Sequence, residues 1–425
     1  MAYINGIRTT TYTVPTSDRY LTVLEGSAIF GSFNDAVRVL DGVDAELYIH
    51  GNLWGPAAGI ALLDAGSASV FIGETGVVQG GDNGMFIRRD ATEVVNNGQI
   101  LGDAHGIYYT LGAGDVRLTN SGTIQSFGGQ AVRVEGDGDA VNDRVIITNT
   151  GDIQTLSFSP DAANGHGLLV RDESLYLDNS GTITGPYAGM ALVTGPSVAN
   201  NLAEIINSGK ISGSESGFFA TDARSIDLVN SGEILSSVGS AISLRDEADG
   251  TNRLYDVTNS GLIQAGSTGV NVSNESLNLV NSGTIDAQGR AVDMADADTA
   301  AGRTRMDLYL LNSGTISSLA TAVSNSFADD VEINNSGTIQ AKDEAISVVG
   351  DLLSFSNFQL VNGGTLQSTD GRTVRVTPKT CRYSTWARSW RKKKLWTPTV
   401  MFSNCSMPRQ ALSPAASGSK SMRPR

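Results

Sequence analysis

Cysteine is absent from the first 380 residues; the two present, Cys381 and Cys405, stand near the C-terminal end. The body therefore has no disulfide framework and no thiolate zinc site. Proline is scarce, with 10 copies in 425 residues, and aromatic residues make up only 6%. No apolar run reaches the roughly 18 residues of a membrane-spanning helix, so no span is expected. The N-terminal stretch, Met1 to Arg8 and onward, lacks the charged start and apolar stretch of a cleavable signal peptide. Export is then expected to use another route, such as a C-terminal signal. Only three histidines occur, His50, His105 and His166, and no two have metal-ligand spacing. They read as surface or corner residues. Nucleophile-elbow, Walker A and dinucleotide-binding fingerprints are all missing.

Charge of one sign is missing locally. Residues 372–425 hold 13 of the 30 basic side chains and none of the 44 acidic ones. The preceding residues set 17 basic against 44 acidic side chains, an excess that repels nucleic-acid phosphates.

Glycine is plentiful, with 49 copies, and much of it belongs to one recurring phrase, Asn-Ser-Gly-x-Ile. It begins at Asn120, Asn179, Asn207, Asn230, Asn259, Asn281, Asn312 and Asn335, with variants at Asn96, Asn149 and Asn362. Weaker members surround Gly26, Gly51 and Gly76, which makes 14 copies spaced by 22 to 31 residues. An alternating segment such as Leu277-Asn-Leu279 precedes the phrase. A second one follows after a short polar link, as at Ala131 to Val134 or Ala241 to Leu244. Alternation with period two marks strands with one buried face.

A unit this short cannot bury its apolar face alone, and stacking on its neighbours supplies the core. The expected fold is all-β: a single-stranded right-handed parallel β-helix of about 14 coils, near 65–70 Å long at roughly 4.8 Å per coil. A propeller blade needs a longer period, and a sandwich does not repeat one corner so often. Residues 1–19 read as a lead-in or cap, 20–376 as the repeat domain and 377–425 as a basic irregular tail. The glycine suits a left-handed corner. The asparagines at 120, 179, 207, 230, 259, 281, 312 and 335 are expected to form a structural ladder. The isoleucines two residues after each glycine should line the core, and variation in repeat length should go into loops at one corner.

The phrase resembles repeats of large proteobacterial exoproteins, especially hemolysin-type (RTX) calcium-binding proteins, and the passenger domains of autotransporter adhesins. The resemblance covers roughly residues 20–371 and implies a secreted or cell-surface structural, adhesive module. The calcium-binding nonapeptide Gly-Gly-x-Gly-x-Asp is absent, and Gly136 to Asp139 is its nearest approach, so no calcium ligand carries over.

Carboxylates recur after the second alternating strand: Asp137, Asp139 and Asp143; Asp172 and Glu173; Asp246, Glu247 and Asp249; Asp296 and Asp298; Asp329 and Asp330. In a solenoid they form a stripe. Asp137, Asp139, Asp143, Asp246 and Asp249 are candidate calcium ligands, against the simpler reading of a solvated acidic face. The enzymatic alternative is a polysaccharide lyase or hydrolase, with Arg171–Asp172 or Arg245–Asp246 as candidate pairs. It calls for one irregular, aromatic-lined cleft, whereas the sequence reads as uniform. The expected partner is an extracellular glycan or protein surface, bound by a monomer without catalysis.

The tail breaks the repeat. Arg391 to Lys394 between Trp390 and Trp396 suits phosphates or headgroups. Back-translation of Gln410 to Arg423 with GC-rich codons, read in a shifted frame, restores alternating acidic sequence. A frameshifted tail that stays off the solenoid is therefore the expectation.

Overall fold

Each repeat folds as three short strands because its apolar residues alternate in three separate runs. The coil Ser225–Asn230, Glu233–Ser236 and Ser240–Arg245 serves as the pattern. Ile226, Leu228 and Asn230 point inward from the first strand, Ile234 and Ser236 from the second, and Ile242 and Leu244 from the third. The computed structural model describes residues 2–376 except 17–18, 64–65, 89–90, 111–114, 137–143, 157–164, 196–200, 246–252, 296–305, 327 and 350–356. It also describes the backbone of 381–385 and 400–402.

Successive coils stack into three parallel sheets, one of 17 strands and two of 15. The fold is thus a parallel β-helix, without any helix among the described residues and hence none long and apolar enough to cross a membrane. The second sheet carries an unbroken core file. Ile124, Ile153, Ile183, Ile211, Ile234, Ile263, Ile285, Ile316 and Ile339 are Cα partners from coil to coil, and all are fully buried. Ile29, Leu53, Val78 and Ile100 extend the file toward the N-terminus.

The first 14 residues are more than a lead-in. Ala2–Ile4, Ile7–Arg8 and Tyr12–Val14 pair in parallel with Tyr20–Val23, Ala28–Phe30 and Asp35–Val39, which adds a coil before the first corner phrase. In the basic tail, the backbone of Cys381–Thr385 continues the first sheet beside Asn357–Asn362, and Val400–Phe402 pairs antiparallel to it. Ladder pairing needs only backbone groups, so loss of side-chain alternation did not stop it there. The shifted-frame stretch Gln410 to Arg423 and the Arg391 to Lys394 run lie outside the described residues.

The first corner holds a continuous file of amides. The Asn120 amide nitrogen donates to Asn149 Oδ1 at 2.8 Å, and the same bond recurs from Asn149 to Asn179, Asn179 to Asn207, Asn207 to Asn230 and Asn230 to Asn259. It goes on through Asn281, Asn312, Asn335 and Asn362, always at 2.7–2.8 Å. Asn96 heads the file by donating to Asn120. Each interior amide also reaches the carbonyl of its own corner glycine and one carbonyl of the following coil, as Asn259 does with Gly261 and Thr284 at 3.2 Å. Ile72 stands one coil before Asn96 in register, and Asn96 Oδ1 is accordingly buried without a donor.

The corner glycine has a different reason from the one read in the sequence. Positive φ occurs at Gly6 and Gly26 but at none of the corner glycines from Gly51 onward. What excludes a side chain is the coil beneath: a Cβ on Gly261 would lie 2.1 Å from the Gly232 carbonyl oxygen, and Gly232 stands in the same relation to Gly209. The left-handed backbone appears instead at the third corner, on Asp172, Asp222 and Asn274 with φ of 56–68°. Short polar side chains tolerate that region best after glycine.

Length variation falls mostly at this third corner. Two residues separate Val270–Ser273 from Ser276–Asn281, whereas eleven separate Val292–Ala295 from Asp307–Asn312. One insertion departs from the single-corner expectation, sitting at the second corner between Asp152–Thr155 and His166–Arg171.

Two substitutions test the corner. Gly261→Ala should cost about 1–3 kcal/mol through overpacking against backbone, while Ser260→Ala should cost far less; urea denaturation of both variants decides. Asn259→Ala strips a partner from the buried amides of Asn230 and Asn281 and should cost about 2–4 kcal/mol, read as a lowered urea midpoint with an unchanged circular dichroism spectrum.

Candidate functional site

The outward residues of the third sheet are not uniform. From strand Asn83–Arg88 to strand Ser240–Arg245, the file on the side away from the core reads Phe86, Tyr108, Arg133, Leu169, Ala191, Phe219 and Ser243, of which Leu169, Ala191 and Ser243 are buried. The neighbouring file reads Thr110, Glu135, Arg171, Val193, Thr221 and Arg245. Further along, the same face carries Asn271, Asp293, Ser324 and Ser347, which are small or polar. Parallel register alone brings these side chains together, since strand partners lie 22 or more residues apart in the chain.

Rings and guanidinium groups interleave here. Phe86 and Tyr108 have centroids 5.7 Å apart, and His105 lies 5.1 Å from Tyr108. The Arg133 guanidinium sits 5.2 Å from the Tyr108 centroid, and the Arg245 guanidinium 5.8 Å from that of Phe219. Glu135 accepts from Arg133 at 2.5 Å and faces Arg171 at 3.7 Å. One carboxylate thus serves two cations. Arg171 Nε is shielded from solvent and has no acceptor among the described residues.

His105 and His166 both open third-sheet strands just after the second corner. His166 is buried and meets Tyr187 edge-on at 5.5 Å. His105 accepts a hydrogen bond at Nδ1 from the Gln130 backbone amide at 3.3 Å. Burial, and next the Arg133 charge, lower its pKa to about 4, so the ring is neutral near pH 7. His50 sits at the first corner near Phe71, far in sequence and on another face.

The calcium candidates Asp137, Asp139, Asp143, Asp246 and Asp249 lie outside the described residues, as do Glu247, Asp296 and Asp298. Two of the remaining members of that acidic series accept from backbone amides. Asp172 Oδ1 accepts from the Gly195 amide at 2.6 Å and Asp329 Oδ2 from the Met306 amide at 3.1 Å. Asp330 Oδ1 accepts from Asn357 at 3.0 Å. Glu173 is fully buried against Gly136. Among the described residues, no three histidine, cysteine or acidic side chains are grouped to hold a metal.

The proposed Arg171–Asp172 pair is replaced by Arg171–Glu135, which the sequence spacing of 36 residues concealed. On this face three carboxylates have an arginine beside them: Asp35 with Arg38 at 2.7 Å, Asp293 with Arg290 at 2.8 Å, and Glu135 as above. An open groove of about 540 Å³ lies near the second corner of later coils, lined by Asp286, Ser317, Gln340, Lys342 and Gln367. It holds one cation and no ring, so the third-sheet face is the stronger candidate.

No family model matches the chain, and neither a curated protein nor a solved structure matches it.

The neutral His105 makes a pH prediction. Its folded pKa lies below the unfolded value near 6.5, so its share of stability is present above pH 6.5. That share is lost as pH falls from about 6.5 toward about 4. The loss is on the order of 2 kcal/mol. His105→Gln should flatten the slope of unfolding free energy over that window. An unchanged slope would show that His105 protonates freely in the fold.

Proposed function

We propose that this chain is a structural, adhesive module of a secreted or cell-surface bacterial protein, one that acts by binding rather than by catalysis. The observation that carries the reading is the regular corner, where one asparagine file and one glycine contact repeat from coil to coil. Such repetition builds a long, stiff display surface from interchangeable units. The resemblance of the Asn-Ser-Gly-Thr-Ile phrase to exoprotein and autotransporter-passenger repeats supports the same reading, and so does the acidic, cysteine-free body.

Polysaccharide cleavage is the competing reading, and the aromatic third-sheet face favours it. General acid–base work on a glycosidic bond needs a pair of carboxylates with separated protonation roles. Glu135 lies between two arginines, which occupy its oxygens. That arrangement suits attachment better than proton transfer.

The full chain, purified and coupled to beads, should retain bacterial or host cells at its surface while leaving soluble glycans intact. Cell retention and release of new reducing ends are measured on the same preparations. Release of reducing ends from any offered polysaccharide would overturn the non-catalytic reading, and failure to retain any cell type would overturn the adhesive one.

A further inference from the structure

We propose that the second-sheet face of the first coils, around Phe30 and Trp54, binds a neutral, extended polysaccharide, a β-linked chain of uncharged hexoses. The inference rests on the adhesive reading above and names the ligand class of one surface.

No outward position of the second sheet from Ile7 to Gln125 carries a charge, although the body sets 44 acidic side chains against 17 basic ones. One outward file reads Phe30, Trp54, Gln79 and Leu101, and the file beside it reads Asn52, Val77 and Gln99. None of these is buried, so the surface is open from the rings to the amides. The face and the corners on either side of it lie wholly within the described residues. Phe30 and Trp54 are 42% and 39% exposed. Neither lies against another ring or a guanidinium among the described residues, whereas Phe86 and Tyr108 on the third sheet are taken up by each other and by Arg133. The side-chain amides of Asn52, Gln79 and Gln99 are likewise without a protein partner among the described residues. Arg8 stands in register with the inward Ile29 and is turned to the Thr10 and Thr11 carbonyls and the Tyr12 ring.

Free rings beside free amides suit a sugar. A ring accepts the C–H face of a sugar as apolar surface, and a planar amide offers a donor and an acceptor at once to neighbouring hydroxyls. Phe30, Trp54 and Gln79 follow one another at the strand spacing, about 4.8 Å per coil. A straight chain laid along the axis therefore meets ring, ring and amide in turn, with Asn52 and Gln99 to one side. An extended β-linked chain keeps to that line, and a coiled one leaves it.

Charged and protein ligands fit less well. Glu25 and Glu74 at the first corner and Asp82 and Asp103 at the second border the face with negative charge. That border repels a polyanion, while to a neutral chain it offers further acceptors for hydroxyls. A peptide adds to a sheet through an open edge, but strands Ala28–Phe30, Asn52–Gly55 and Val77–Gly80 are each paired on both sides. A folded partner or a second copy needs about 20–30 residues a side, more than these two short files present. The exposed Tyr48 lies on the first sheet and does not extend the patch.

The test titrates the full chain by isothermal calorimetry with cellohexaose and β-mannohexaose, and with maltohexaose, hexagalacturonate and hexaglucosamine as comparators. At least one neutral β-linked probe is expected to bind at least tenfold more tightly than any comparator, with an affinity that salt leaves unchanged. Trp54→Ala should weaken it at least tenfold, Trp54→Phe should recover most of the loss, and Gln79→Ala should weaken it severalfold. Asp227→Asn on the first sheet should leave affinity unchanged. Circular dichroism melts of each variant separate loss of contact from loss of fold. Equal binding of hexagalacturonate or hexaglucosamine would overturn the neutral ligand class, and equal binding of maltohexaose the extended chain. Full affinity in folded Trp54→Ala would place the site elsewhere. A concentration-dependent dimer in sedimentation, abolished by Trp54→Ala and found without sugar binding, would make the face a protein contact and overturn the proposal. Cells retained while neither β-linked probe binds would sink this inference and leave the adhesive reading standing. Binding followed by cleavage would keep the site and overturn that reading.

Discussion

The close approach of backbones at the first corner governs the rest of the molecule. From Gly98 onward, each corner glycine lies so near the carbonyl of the glycine beneath it that no side chain fits between them. That contact sets adjacent coils at strand spacing, and the asparagine amides then fall within hydrogen-bond reach. With the corner fixed, the strands that lead into it and out of it share one register over the whole stack. A one-residue slip would turn the buried isoleucines outward, and the amide file opposes it directly.

Rigidity at one corner permits irregularity at the others. The third corner takes anything from a two-residue turn to an eleven-residue link without disturbing the strands on either side. Its short forms use Asp172, Asp222 or Asn274 in the left-handed region, where a local polar side chain eases the strain. The outward faces are equally free of the fold's demands. Phe86, Tyr108, Arg133 and Phe219 lie on the side of the third sheet away from the core, where Phe86, Tyr108 and Arg133 pack on one another across coils.

The corner was legible in the sequence because its constraint acts on every coil and so prints the same phrase each time. The isoleucine file was legible for the same reason. The purpose of the glycine was not, since a left-handed turn and a close contact with a neighbouring coil demand the same residue. The grouping on the third sheet was hidden for a third reason. Arg171 finds Glu135 rather than Asp172 because the insertion between residues 156 and 165 sets which side chains become neighbours across coils. No local window contains that information. The coil formed by Ala2–Val14 also escaped notice, because Gly6 stands there without the asparagine phrase that marks the later corners.

The amide file has a direction. From Asn120 to Asn335, every asparagine of the file donates its nitrogen toward the C-terminal side and accepts on its oxygen from the N-terminal side, so the amide dipoles add head to tail along the axis. Growth of the solenoid from its N-terminal coil is then self-completing. Each newly laid coil presents an oxygen to the amide just behind it, and only the foremost asparagine waits for its partner. The polar debt of the advancing front stays at a single amide however many coils have been built.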